Sequence, residues 1–257
     1  MPLAMRRNVP DRAKVRCWRF RLLLGFGRQS NMTTHRPSTA FTRIELIAVV
    51  AALALLTVIV APLFGATRED SHRAACFNNL RQLGLVMLEY VDEHDDRFPP
   101  RAAPRWPEQL RPYYKSTAAL LCPSDGPNPL SFGVAGTNSA DSAPRSYLFN
   151  GWNDYYQGLP LPGSALPASA IQDPARTVLL GEKATESGHF WMDYWSGGDY
   201  SDIEQGRHLR TGSAQSGGSH FTFADGSVQF LQWGASFNPV NLWFIDPALR
   251  QMPSNPR

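Results

Sequence analysis

The 257-residue chain carries 25 Lys and Arg against 22 Asp and Glu, a formal charge of +3, and 43% of its residues are hydrophobic. That length and apolar fraction suit one domain with appendages or two small domains, and 20 Gly with 21 Pro point to a loop-rich globular part. Residues 1–40 hold nine of the basic groups and one of the acidic ones, so the remainder has an acidic excess of five, which argues against nucleic acid as a partner.

The basic segment 1–40 reads as the cytoplasmic flank of a membrane segment. From Leu46 to Ala66 the chain runs 21 residues without a charge. As a helix at about 1.5 Å per residue that run spans roughly one bilayer core. The alternatives are a buried helix of a soluble domain and a cleaved secretory signal, whose apolar region would be shorter, with Gly65 and Ala66 as the small residues after it. One acid, Glu45, stands at the mouth of the run.

The stretch "AFTRIELIAVVAALALL" resembles the N-terminal signal of type IV pilins and type II secretion pseudopilins. The resemblance implies a leader over 1–40 cut between Ala40 and Phe41, and N-methylation of the new Phe41 amine. Glu45 would be the assembly acid and Pro62 the helix-bending proline. A transmembrane helix over 41–66 and a periplasmic half of the same helix over 67–96 would follow, then a globular head over 97–257. The sequence departs from the family in having Ala40 where Gly is usual and in its 40-residue leader; Met32 offers an alternative start with a nine-residue leader.

Beyond the apolar run, Phe77, Leu80, Leu83 or Gly84, Met87 or Leu88, and Val91 recur at helical spacing, which predicts a one-sided apolar stripe running to about His94. "FPP" at 98–100 is expected to end that helix, and "RWPEQLRPYY" reads as a short second one with Pro107 in its first turn. The run "CFNNLRQLG…YVDEHDDRFPP…LLCPSDG" is similar to a group of pilin-like proteins from planctomycetes and verrucomicrobia, which close with a His, a spacer and an Asp-Gly in an aromatic strand. That likeness gives His208, Asp225 and Gly226 as the family motif, although the 16-residue spacer is longer than the nine usual there. Cys76 and Cys122 lack metal-site spacing. Facing an oxidising periplasm they suggest one disulfide, contributing about 3–4 kcal/mol, with two unpaired buried thiols as the alternative.

In the C-terminal half "RTVLLGEK" and "HFWMDYW" read as strands. "SHFTFADGSVQFLQ" reads as a hairpin on a two-residue Asp225-Gly226 turn. Such a turn opposes Phe223 to Val228 and Phe221 to Phe230, laying one aromatic face on the long helix and putting Thr222 and Gln229 on the other. The fold class expected is α+β, a long N-terminal helix packed on a small antiparallel sheet. Ser219, His208 and Asp225 make a triad on paper only, since G-x-S-x-G, H-E-x-x-H, P-loop and G-x-G-x-x-G patterns are all missing, and no enzyme is expected. No cofactor is expected beyond calcium, which some pseudopilins hold in acidic loops; Asp193, Asp199, Asp202 and Glu204 are the candidates, with a solvated loop as the alternative. Trp191, Tyr194, Trp195 and Tyr200 are either a binding surface or core.

Two functions fit. The first is a structural pilin-like subunit of a pilus-like or secretion filament in the inner membrane. Its partners would be prepilin peptidase, its own and other pilin-like subunits, and the membrane assembly platform. The second is a membrane-anchored module that captures a glycan or a protein and uses the signal only for sorting.

Overall fold

The computed structural model describes residues 42–131, 140–156, 163–193, 199–209 and 212–251, with the backbone alone at 61–67 and 199. Ala40 and Phe41, like Tyr194 and Trp195, lie outside the described residues. The chain divides into two compact units, Met1–Val50 and Ala51–Arg257.

In the first unit, helix α1 (Arg43–Glu93) begins with a capping box. The Glu45 amide donates to Thr42 Oγ1 at 3.3 Å. In return, Thr42 N donates to Glu45 Oε2 at 2.8 Å and the Thr42 hydroxyl donates to the same oxygen at 2.9 Å. The window Arg43–Val60 has a mean hydropathy of 2.4 and none of it is buried, so α1 contains one stretch long and apolar enough to cross a membrane.

In the second unit the predicted stripe is the packing face: Leu80, Leu83, Gly84, Met87 and Val91 are buried and Phe77 and Leu88 half-buried, Cys76 joins them, and Arg81, Gln82, Leu85 and Glu89 face solvent. The helix ends ahead of "FPP". Asp95 and Asp96 adopt left-handed backbone (φ 53° and 59°), a conformation short polar side chains tolerate, and the Asp96 amide returns to Val91 O at 3.1 Å. Helix α2 (Trp106–Gln109) has Pro107 in its first turn, as expected.

The strands are β1 (Tyr147–Asn150), β2 (Val178–Glu182), β3 (Trp191–Met192), β4 (Gly218–Phe223) and β5 (Val228–Gln232), in the order β3-β1-β2-β4-β5. The sheet is mixed rather than antiparallel, because β3 returns to the far edge and pairs parallel with β1, Phe149 opposite Trp191. One face meets α1 through Tyr147, Phe149, Leu180 and Val228. The other, with Leu148, Val178, Phe221 and Phe223, is covered by Ile203, Phe237 and Trp243. Coverage on both sides explains why β1, β2 and β4 are buried at every position, whereas the edge strand β5 is fully buried nowhere and exposes Gln229 and Gln232.

The hairpin forms, but in another register. Phe223 N donates to Ser227 O at 2.8 Å, which leaves a three-residue loop, Ala224 to Gly226, with Gly226 at φ +82°. Thr222 therefore opposes Val228, Phe221 opposes Gln229, and His220 opposes Phe230. Because side chains alternate, this one-residue change swaps the faces. Phe221 and Phe223 point away from α1, and His220, Thr222, Val228 and Phe230 point toward it. Thr222 donates to Leu80 O at 3.1 Å and the Phe77 and His220 rings meet edge-on at 5.9 Å.

Candidate functional site

The second unit's most polar interior lies where α1, the segment after Cys122, the end of β2, the 204–209 segment and the start of β4 converge. Cys76 of α1 and Cys122 are joined as a disulfide, with Cα atoms 4.8 Å apart. Glu182 closes β2 with a fully buried carboxylate. His208 Nε2 lies 2.9 Å from Glu182 Oε1 and 3.9 Å from Cys122 Sγ. His220 Nδ1 is 3.5 Å from the same glutamate oxygen, and Arg207 Nε is 3.6 Å from Oε2. The other ring nitrogen of His208 reaches Glu69 Oε1 on α1 at 3.2 Å, and the Ser124 hydroxyl donates to Glu69 at 3.1 Å. Arg207 also pairs with buried Asp125 and donates to Lys183 O, while Thr185 donates to Asp125.

Burial of these charges is expensive unless each is paired, and the pairing shifts their proton affinities. Burial alone would raise the Glu182 pKa, but His208, His220 and Arg207 override it and hold the carboxyl well below its usual range. Burial likewise pushes His208 down, yet the Glu182 and Glu69 carboxylates more than offset this and raise it. Lys183, next in line, donates to Ala184 O at 3.0 Å and to Ser187 O, and burial lowers it to about 8.

Of the residues that the pilin-like resemblance singled out, His208 is the centre of a buried ionic clasp. Asp225 is not part of it. It sits past the far end of β4, exposed, accepting from Ser227 N at 2.9 Å, and Gly226 shapes the turn beside Leu88. The two halves of the motif hold the two ends of one strand. The paper triad does not assemble: Ser219 Oγ accepts from Arg207 N at 3.2 Å, and Asp225 lies at the opposite end of β4.

The calcium candidates go to separate partners. Asp193 pairs with Arg101, Asp202 lies 2.5 Å from His189 Nδ1, and Glu204 accepts from Gly206 N at 2.8 Å in its own turn. Asp199 is described by its backbone alone. Among the described residues, the group whose ligand atoms converge is Cys76, Cys122, Glu182 and His208, all buried and with those atoms within 4.8 Å of one another. Of the aromatic set, Trp191 is core and Tyr200 packs on Phe237 at 4.9 Å between ring centres.

Sequence reasoning did not find Glu69, Asp125, Glu182, Arg207 or His220. The available signal was an acid and a base, Glu182-Lys183, closing an apolar strand, and "GRH" before a Gly/Ser-rich stretch. Comparison of the chain with protein-family models, with characterised proteins and with solved structures finds no match.

Proposed function

We propose that the chain is a pilin-like structural subunit, anchored in the inner membrane by the first part of α1 and assembled into a pilus-like or pseudopilus filament. The observation that carries this reading is the start of α1. An unburied apolar window has an acid in its first turn, and the helix continues to Glu93 in a stripe that packs on the head. The basic leader stays cytoplasmic. Prepilin peptidase cuts after Ala40 and methylates Phe41, so the protein is a substrate of that chemistry. The new α-amine then pairs with the Glu45 of a neighbouring subunit.

The capping box sharpens the test, because Glu45 already serves its own helix. Glu45→Ala removes the charge and the carboxylate half of the capping box, the two bonds from Thr42, and leaves the Thr42 hydroxyl still accepting from the residue-45 amide. Glu45→Gln keeps a capping-box residue and removes only the charge. Both variants should be cut and membrane-inserted, and both should fail to form filaments in cells, read by shearing and immunoblotting. Filaments from Glu45→Gln at the wild-type level would refute charge pairing as the basis of assembly. The capture-module reading draws less support, since Trp191 is core and Tyr200 packs on Phe237.

A further inference from the structure

We propose that Cys76, Cys122, Glu182 and His208 form a closed, redox-gated site for a zinc-class divalent cation, loaded when the two cysteines are thiols and emptied when they are joined. The proposal is independent of the filament reading. Its basis is convergence: two sulfurs, one imidazole nitrogen and one carboxylate oxygen, from four separate segments, lie within 4.8 Å of one another in the interior. Such a mixed S₂NO set suits Zn²⁺, which takes four ligands tetrahedrally from Cys, His and carboxylates; Ca²⁺ and Mg²⁺ prefer all-oxygen shells.

The surroundings match a metal centre in three further ways. Metal-bound histidines ordinarily give their second ring N–H to a carboxylate, and His208 has its Nδ1 on Glu69 with its Nε2 turned to Cys122 and Glu182. Glu182 Oε2 is buried without a hydrogen bond, an acceptor left over by the clasp. A cation also faces the group: two thiolates, Glu182 and a dication leave one negative charge, and Arg207, which Glu182 shares with Asp125, stands 3.6 Å from the carboxylate.

The gate is the disulfide. A dithiol or phosphine reductant supplies two electrons, the S–S bond breaks, and two protons complete the thiols while the reductant is oxidised. The cation then displaces both thiol protons and the proton on His208 Nε2. With Zn–S bonds of about 2.3 Å, the sulfurs of a tetrahedral site stand roughly 3.7 Å apart, so they must separate on loading. Cys76 is fixed on α1. Cys122 opens a loop beside a cavity of about 420 Å³ lined by Cys122, Pro123, Asp125 and Pro127, which gives that side room to shift. In the reverse direction a small-molecule disulfide takes the two electrons by thiol–disulfide exchange and leaves as two thiols, the Cys76–Cys122 bond forms, and the ion is expelled.

The test uses the full chain in detergent micelles, reduced with a phosphine without oxygen and titrated with Co²⁺, then Zn²⁺. One Co²⁺ per chain is expected, with the visible bands of a tetrahedral ion and thiolate charge transfer in the near ultraviolet, both erased by Zn²⁺. The disulfide form should take up neither. His208→Gln and Glu182→Gln should each weaken binding by more than about 10-fold, and Glu69→Gln by about 10-fold. Should reduction loosen the fold, Zn²⁺ is expected to restore the near-ultraviolet dichroism and raise the melting temperature. The proposal is overturned if the reduced chain neither binds nor is restored, if His208→Gln binds as wild type, or if the disulfide form binds equally.

Discussion

At Gly84 α1 lies close against the sheet, and substituting it tests the packing sharply. A Cβ there would stand 2.6 Å from Thr222 Cγ2, well inside contact distance, with Gly226 O at 3.6 Å. Thr222 cannot swing aside cheaply: it is buried, paired with Val228, and its hydroxyl is committed to Leu80 O at 3.1 Å. At an open helical site Gly→Ala would stabilise by about 1 kcal/mol. Here overpacking costs about 1–3 kcal/mol, so Gly84→Ala should destabilise by about 1 kcal/mol net. Thr222→Ser keeps the hydroxyl and deletes the methyl that clashes. The double variant should then be more stable than Gly84→Ala alone, with a coupling energy of about 1 kcal/mol or more. Urea unfolding followed by tryptophan fluorescence measures all four corners of this cycle, because Trp106 and Trp243 are buried in the head. A Gly84→Ala variant more stable than wild type, or zero coupling to Thr222→Ser, would refute this packing.

The hairpin register gives a second test: Phe221→Ala, in the far core, should cost about 3–5 kcal/mol, whereas Phe230→Ala, half-exposed under Arg73, should cost about 1 kcal/mol. Equal costs in the same unfolding assay would favour the two-residue turn. For the clasp, a raised His208 pKa contributes stability that is fully present below pH 6.5 and is lost as pH climbs through the folded-state value. Glu182, lowered from 4.5, contributes above that pH and loses its contribution as acid protonates it in the fold. Melting temperature against pH should therefore lose its fall above pH 6.5 in His208→Gln and its acid-side fall in Glu182→Gln. Removing the disulfide as Cys76→Ser with Cys122→Ser opens a loop with a sequence separation of 46 and should cost about 4 kcal/mol, read as a lower urea midpoint.

How much of this was legible in the sequence depended on distance along the chain. The α1 stripe was legible because helical periodicity is local and strong, from Leu80 to Val91. The hairpin was legible but its register was not. Both candidate turns use Gly226, and whether the loop has two or three residues depends on which pairing buries the better faces, a tertiary decision. The strand "YLFN" went unread for a related reason: buried on both faces, it shows no alternation, and four apolar-rich residues carry no period. The clasp was hidden more deeply. Glu69 and His208 are 139 positions apart and Glu182 and His208 are 26, so no spacing rule connects them. The cysteine pair was legible because only Cys76 and Cys122 follow the segment read as a leader, which holds the third cysteine, Cys17.

The position of the disulfide has a mechanical consequence. No described side chain of α1 before Cys76 is buried, so axial tension on that segment enters the head there. The covalent bond at Cys76 and the Glu69–His208 contact just ahead of it act in parallel on the same end of the helix. A pull must shear them together before it can peel Leu80, Leu83 and Met87 from the sheet one turn at a time. With the cystine intact the load is carried by the chain itself. With it reduced, the first element to yield is an ionic contact, and the grip of the head on its stalk becomes a function of redox state and pH.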